Sequence, residues 1–305
     1  MSWTWVPRLN QQQIEQVQKQ SHTIWGEGLD LQERLSRLNQ LLHYKEGKYL
    51  HMAGLLNESK ELVCSCKMYT LYIRHHQQVI KTHGFGAVFT PPEHRKKGYA
   101  ETMIHHALLD ACEAGYEAAF LFSDIGPMYY EKFGYQTLPS EACEIAVKDI
   151  IDSEIELTGE QDYQTGVKIL KQVKTGIAIT YAYTPETYEF YKMRNSAQGF
   201  DLVLWNRGKR VAFVSALLTD KGLNLNEFAL LDTHYFLAVW SYLKKLALYH
   251  KKNTIYGWWP LGVDHPGTRR NYRPTELPML ASLTENKTRF TSDLAKAHFG
   301  GLGYF

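Results

Sequence analysis

Apolar side chains recur at two different spacings along the chain, and the change between these spacings predicts its helices and strands. Residues 10–25 and 29–44 carry apolar side chains three or four positions apart, which predicts two helices. The next stretch is rich in β-branched, aromatic and other apolar residues. It predicts three strands, at residues 48–56, 61–75 and 77–90.

The pattern then continues as a helix at residues 98–115, a buried strand at 116–122 and a short helix at 125–134. After residue 150 the order of strands and helices restarts. The predicted elements of this second series are a strand at 176–184, a helix at 185–195, a hairpin at 200–218, a strand at 223–231, a helix at 233–252 and a strand at 254–261.

The repeated order predicts an α/β (α+β) chain made of two halves, residues 1–150 and residues 151–305. A length of 305 residues agrees with about two domains. No short-period repeat or low-complexity segment interrupts either half.

Charge is nearly balanced, with 34 Lys and Arg against 32 Asp and Glu and a net charge of +2. A general nucleic-acid-binding protein usually carries a basic excess, so we expect no nucleic-acid partner. The N-terminal residues lack a basic stretch followed by an apolar core, and no run approaches the ~18 apolar residues of a membrane span. We therefore expect a cytoplasmic protein with no membrane partner.

The four cysteines lack the spacing of a metal site, so we expect reduced, buried thiols and no metal. Two of them, Cys64 and Cys66, alternate within a predicted strand and should therefore face the same side. The other two are Cys112 and Cys143.

The stretch FTPPEHRKKGYAET, residues 89–102, carries the most informative chemistry. Pro91 and Pro92 end a strand because proline cannot donate to a sheet. A helix begins just after Gly98, where the first backbone N–H groups lack partners within the helix and carry partial positive charge. Three basic residues stand beside them, and Gly98 has no side chain to obstruct a ligand. These features suit a pyrophosphate site, but taken alone they favour a solvated basic turn that caps an ordinary helix.

The order of two motifs resembles the GNAT acetyltransferase superfamily. Arg95-x-x-Gly98-x-Ala100 follows a strand, as in the acetyl-CoA loop of that family, and Tyr130-Glu-Lys-Phe-Gly134-Tyr135 resembles its later signature. The stretch VFTPPEHRKKGYA together with SDIG also looks like the fungal L-lysine side-chain acetyltransferases. The two-half plan resembles the mycobacterial enhanced-intracellular-survival aminoglycoside acetyltransferases.

This resemblance implies a GNAT fold with a mixed, mostly antiparallel sheet, followed by a degenerate GNAT-like half that completes the acceptor pocket. It implies acetyl-CoA as co-substrate and no metal. A backbone N–H near Phe89 would hold the thioester oxygen. The implied cofactor-binding residues are Val88, Phe89, Thr90, Arg95, Lys96, Lys97, Gly98, Tyr99, Ala100 and Ser123.

The resemblance also implies two catalytic groups. Tyr130 occupies the family's general-acid position and would protonate the departing thiolate. The terminal carboxylate of Phe305 would act as base, as in the enhanced-intracellular-survival enzymes. Glu93, His94 and Asp124 remain alternative bases.

The predicted function is transfer of acetyl from acetyl-CoA to the primary amine of a small molecule, such as a lysine-like compound, a polyamine or an aminoglycoside. The alternatives are a protein lysine or N-terminal acetyltransferase and a non-catalytic acyl-CoA sensor. The second half lacks the glycine-containing basic loop, because its corresponding junction reads LDTHY. We therefore expect it to bind no coenzyme A.

Overall fold

The structure is a computed structural model that describes residues 3–25, 28–194, 199–259, 263–273 and 276–299. The α-helices of this part of the chain are α1 Gln11–Trp25, α2 Leu31–His43, α3 Tyr99–Glu113, α4 Met128–Glu131, α5 Tyr163–Val173, α6 Pro185–Met193 and α7 Phe236–Tyr249.

The strands form two mixed sheets. The strands of the N-terminal part are β1 Trp3–Val6, β2 Leu50–Asn57, β3 Leu62–His75, β4 Gln78–Phe89, β5 Ala118–Ser123, β6 Gln136–Thr137 and β7 Glu141–Ala146. Those of the C-terminal part are β8 Thr158–Gln161, β9 Ile179–Tyr181, β10 Gly199–Asn206, β11 Lys209–Leu218, β12 Leu223–Leu230, β13 Thr254–Gly257, β14 Arg269–Tyr272 and β15 Leu277–Ser282.

The first sheet has the strand order β1-β2-β3-β4-β5-β15-β6, and β9 pairs with β3 beside this path. All its pairings are antiparallel except β4 with β5, which run parallel with Thr82 opposite Ala118 and Phe85 opposite Leu121. The sheet is therefore mixed and mostly antiparallel, as the resemblance implies.

The second sheet repeats this plan in the order β8-β10-β11-β12-β13-β7-β14. Its one parallel pairing joins β12 to β13, at the position that β4 and β5 hold in the first sheet. The helix α7 follows β12 just as α3 follows β4. The two-half architecture predicted from the sequence is thereby confirmed.

The two sheets exchange strands. The strand β7, from the N-terminal part, lies between β13 and β14 in the second sheet, and β15, from the C-terminal part, lies between β5 and β6 in the first. Each sheet therefore contains chain from both sides of residue 150. The division into domains at that residue stays a prediction.

The helices follow local sequence signals. In α2 the Asp30 carboxylate accepts a hydrogen bond from the Glu33 N–H and the Glu33 side chain accepts one from the Asp30 N–H, a capping box that starts the helix. The buried face of α3 comprises Met103, Ile104, Ala107 and Ala111. Among the described residues, no helix has both the length and the apolar content that crossing a membrane requires.

A continuous apolar core joins the two halves. It contains Leu71, Phe120 and Tyr181 of the first sheet, Phe213 of the second sheet, and Phe299 near the end of the described chain. One face of the first sheet is therefore covered by residues from the C-terminal part of the chain.

Several elements differ from the sequence prediction. The helix α5 was not predicted; it contains Gly166, where an added Cβ would lie 2.1 Å from the Phe213 ring. Both β14 and β15 lie beyond the last strand that the sequence predicts, at residues 254–261, and were not predicted. The expected burial of all four thiols is wrong at Cys112, which is exposed; the other three are buried, and all four are free.

Candidate active site

The strands β4 and β5 diverge after their short parallel pairing. The pairing stops at Phe85 and Leu121, and beyond it β4 contains a bulge opposite residues 65–67 of β3. Ala87 within this bulge has φ 47°, a conformation that costs energy for any residue except glycine. The bulge lies where the pairing with β5 has ended, and among the described strands the backbone that leads to Phe89 pairs only with β3, opposite Ser65.

The segment after β4 leads into the N-terminus of α3. A 3-10 turn at Pro92–His94 is followed by Lys96 and Gly98, both with positive φ, at 61° and 79°. Gly98 precedes the helix without a side-chain cap, and the first backbone bond of the helix runs from the Thr102 N–H to the Gly98 carbonyl at 3.0 Å. The positive end of the helix dipole therefore faces outward at this loop.

Gly98 is required for its backbone angle rather than for packing. A Cβ added to it would meet nothing within 4 Å, so the space beside it is open. Arg95, Lys96 and Lys97 beside it are exposed. The Arg95 Nε donates a hydrogen bond to the Thr90 carbonyl at 3.0 Å, which holds this side chain beside the end of β4.

A cavity of about 450 Å³ lies where these elements meet. It brings together every predicted cofactor-binding residue except Lys97 and Ser123. Ser123 lies at the buried end of β5, and its hydroxyl donates a hydrogen bond to the Ile125 carbonyl at 2.5 Å. The remaining lining residues are Ile24, Trp25, His94, Glu101 and Tyr129.

The wall formed by α1 was not predicted as part of the site. Trp25 packs edge-on against Phe89 with ring centroids 6.1 Å apart, and Ile24 beside it is 53% exposed. Both residues belong to the apolar pattern of the first predicted helix, but nothing local shows which ligand surface they would face. The sequence therefore offers no local signal that these two residues belong to the site.

Tyr130 lies behind the cavity rather than on its lining. It is 8% exposed, in the apolar cluster below α3, and its ring contacts those of Tyr129 and Tyr135. Burial raises the pKa of Tyr130, and the neighbouring Tyr129 and Asp124 raise it further. Its hydroxyl makes no hydrogen bond to another described residue and stays protonated across the neutral pH range.

The alternative bases differ in position. His94 lines the cavity, and its ring packs edge-on against Tyr99 at 6.2 Å, whereas Glu93 and Asp124 are exposed. The other candidate, the carboxylate of Phe305, lies outside the described residues. Phe299 is the last residue described, and it packs against Phe120 of β5 with ring centroids 4.6 Å apart.

The second half lacks the corresponding loop. Asp232 precedes α7, and its carboxylate accepts hydrogen bonds from the His234 N–H at 3.0 Å and from Lys209 Nζ at 3.0 Å. These bonds hold the pKa of Asp232 below its usual range. A carboxylate at this position repels a phosphate, which agrees with the expectation that this half binds no coenzyme A.

Comparisons with known proteins agree with this geometry. Residues 8–138 match the family model of an acetyltransferase (GNAT) domain. No curated protein matches the chain.

Solved structures match nearly the whole chain. A probable N-acyltransferase from Enterococcus faecalis V583 is 13% identical, with a TM-score of 0.73 over 93% of this chain and 73% of that chain. Eis1 from Mycobacterium abscessus is 13% identical, with a TM-score of 0.56 over 83% of this chain and 72% of that chain. A tandem GNAT protein from the clavulanic acid biosynthesis pathway is 10% identical, with a TM-score of 0.58 over 93% of this chain and 100% of that chain.

These identities are low, so the solved structures show the fold alone. The family model covers less than half of the chain, so its match describes the N-terminal part. Residues 8–138 match a GNAT acetyltransferase domain, and the chain as a whole has the fold of tandem GNAT proteins.

Proposed function

We propose that this protein transfers the acetyl group of acetyl-CoA to the primary amine of a small molecule. The observation that carries the proposal is the cavity between the end of β4, the loop before α3 and the end of α1. Backbone N–H groups of a helix N-terminus, two basic side chains and the end of a bulged strand all border the same space.

The loop before α3 would hold the pyrophosphate of acetyl-CoA. The outward backbone N–H groups of Ala100 and Glu101 supply hydrogen bonds and the positive end of the helix dipole. Arg95 and Lys96 add positive charge on the lining of the cavity. The space that Gly98 leaves open lets phosphate oxygens approach the backbone.

The bulged end of β4 would orient the thioester. Pairing with β5 ends at Phe85, so the backbone between that residue and Phe89 can hydrogen-bond the pantetheine arm in place of a neighbouring strand. A backbone N–H close to Phe89 would then donate to the thioester oxygen as negative charge develops on it. The strained Ala87 fixes the direction of this segment before the substrate arrives.

Tyr130 would protonate the departing thiolate. A free phenol and a free thiol differ in pKa by about 1.5, so this transfer costs roughly 2 kcal/mol in water. Burial raises the pKa of Tyr130, but the same apolar surroundings disfavour a thiolate beside it. Both anions are destabilised together, so the proton transfer remains feasible.

The acceptor is proposed to be a small amine because one face of the first sheet is covered. Phe299 packs on Phe120 of β5, and Trp258, after β13, packs on Phe122 with ring centroids 5.2 Å apart. A protein substrate would need an open groove for an extended segment. The coverage favours an enclosed acceptor pocket between the halves.

The test is a thiol-release assay on the full chain with acetyl-CoA and a panel of free lysine, polyamines, aminoglycosides and lysine-containing peptides. Turnover with a free amine and none with the peptides supports the proposal. Turnover with peptides alone would instead identify a protein acetyltransferase. Binding of acetyl-CoA without turnover of any amine would favour an acyl-CoA sensor.

A further inference from the structure

A cluster of three metal-ligand side chains lies outside the cavity, at the far end of the first sheet. His75 Nε2 lies 3.0 Å and His76 Nε2 2.9 Å from the same carboxylate oxygen, Asp293 Oδ2. The ligand atoms of all three residues lie within 4.8 Å of one another. His75 and Asp293 are partly buried, with side chains 12% and 13% exposed, whereas the side chain of His76 is 59% exposed.

The turn between β3 and β4 brings the two rings to one side. Successive residues of a strand point to opposite faces, so two adjacent histidines would normally diverge. His75 is the last residue of β3, paired with Gln78, and His76 in the two-residue turn has φ 52°. Turns of this kind favour glycine or asparagine at positive φ. A histidine holds the position here, and its ring contacts the His75 ring at 4.7 Å.

The separations suit a shared metal ion. Two ligand atoms that are each about 2.1 Å from one tetrahedral ion are about 3.4 Å from each other. The Nε2-to-Oδ2 distances of 3.0 Å and 2.9 Å lie within about 0.5 Å of this value, so small side-chain movements would admit the ion. Two imidazoles and one carboxylate also form a donor set that zinc uses, with a further position left for water on the exposed side.

The Arg289 guanidinium donates to the Gln78 side chain at 3.3 Å and is paired with Glu117 at 2.8 Å. The guanidinium nearest in sequence to the two histidines is that of Arg74. It donates to the backbone carbonyls of His76, Lys174 and Thr175. Its positive charge is therefore directed at carbonyl dipoles rather than at the Asp293 carboxylate, and strand alternation points Arg74 away from His75.

We propose that His75, His76 and Asp293 bind a divalent transition-metal ion, with Zn²⁺ as the best fit to the donor set. The site joins a hairpin of the first sheet to the segment that leads to Phe299. His75 also packs on Phe290 of that segment at 5.1 Å, and the His298 N–H donates to the Ile179 carbonyl of β9 at 2.8 Å. A bound ion would stabilise the packing of this segment against the first sheet.

The experiment is calorimetric titration of ZnCl₂ into the full chain after chelator treatment and removal of any polyhistidine tag. The variants are His76→Asn, which suits positive φ, and Asp293→Asn, whose side chain caps no helix. Gln77→Ala is the matched control, because it alters the same exposed turn without removing a ligand.

The proposal predicts one Zn²⁺ per chain, binding at least about tenfold weaker in His76→Asn and in Asp293→Asn, and unchanged affinity in Gln77→Ala. It also predicts that Zn²⁺ raises the Tm of the wild type but not that of Asp293→Asn. Absence of saturable binding, or equal affinity in all four proteins, would overturn it. Acetyl transfer is not part of the readout, so failure of the metal site and failure of the proposed function are distinguishable.

Discussion

The carboxylate of Asp232 accepts a hydrogen bond from the backbone N–H of His234 at 3.0 Å and caps the 3-10 turn Thr233–Tyr235 that leads into α7. At the corresponding place in the first half, Gly98 directly precedes α3, with no side chain and with open space beside it. The two halves repeat the same strand order but differ in charge and access at this one helix N-terminus. This difference is the physical reason to assign acetyl-CoA to the first half.

Placing a carboxylate at Gly98 should therefore weaken acetyl-CoA binding. Asp and Asn both tolerate positive φ, so Gly98→Asp and Gly98→Asn differ mainly in charge. A negative charge a few Å from a pyrophosphate costs roughly 1–3 kcal/mol at this partly exposed site. We expect the Kd for acetyl-CoA to be about tenfold to a hundredfold higher in Gly98→Asp than in Gly98→Asn. Equal affinities in the two variants would argue against a phosphate at this loop.

The two lysines of the loop should contribute unequally. Lys96 lines the cavity and Lys97 does not, although both are exposed. We expect Lys96→Gln to raise the KM for acetyl-CoA about threefold to tenfold, and Lys97→Gln to change it less, with kcat similar in both. The difference should shrink at ~1 M salt, where the Debye length falls to about 3 Å. A larger effect from Lys97 would indicate that the pyrophosphate lies elsewhere.

Removal of the Tyr130 hydroxyl should slow the chemical step without unfolding the protein. The hydroxyl makes no hydrogen bond to a described residue, so Tyr130→Phe should leave the Tm nearly unchanged while kcat falls about a hundredfold or more. Tyr129→Phe is the control, since Tyr129 lines the cavity beside it. Because burial raises the pKa of Tyr130, loss of its proton should not reduce kcat below about pH 10. Equal losses of kcat in the two variants would contradict the proposed role of Tyr130 as general acid.

Stability should decrease in acid because histidines are buried in the neutral form. Burial lowers the pKa of His83 to about 3, and neither ring nitrogen has a hydrogen-bond partner among the described residues. The unfolded chain takes up a proton below about pH 6.5 whereas the folded chain does not. The free energy of unfolding therefore falls with pH, by about 2 kcal/mol for this residue at pH 5.

The matched variant for this effect is His83→Phe, measured by urea unfolding at pH 8 and pH 5. The difference from wild type at pH 8 reports packing alone, because the histidine is neutral in both states. We expect the drop in unfolding free energy between the two pH values to be about 2 kcal/mol smaller in the variant. An identical drop in both proteins would show that His83 is protonated in the folded state.

Local patterns predicted most of the first half, and long-range pairing explains what they missed. The helix α3 and its glycine-led start are set by residues next to one another, so the sequence predicts them. The strand β15 contains Pro278 and lies between β5 and β6, which are more than a hundred residues away in the chain. It forms a strand because it pairs with β5 and β6, and no local sequence pattern indicates these partners.

The sequence likewise predicts only the part of the candidate site that is contiguous in the chain. The loop that carries Arg95 and Gly98 is contiguous, so the sequence predicts it as a group. The wall that Trp25 provides depends on how α1 packs near the end of β4, and the contact of His75 with Asp293 joins residues 218 positions apart. Neither of these arrangements has a short-range signature.

The most direct test of the central claim is calorimetric titration of acetyl-CoA into the wild-type chain and into Gly98→Asp. The proposal predicts saturable binding of one acetyl-CoA per chain to the wild type, competition by free coenzyme A, and at least tenfold weaker binding to the variant. No heat of association with the wild type, or equal binding to both proteins, would contradict the assignment of the acetyl-CoA site to the cavity beside the loop before α3.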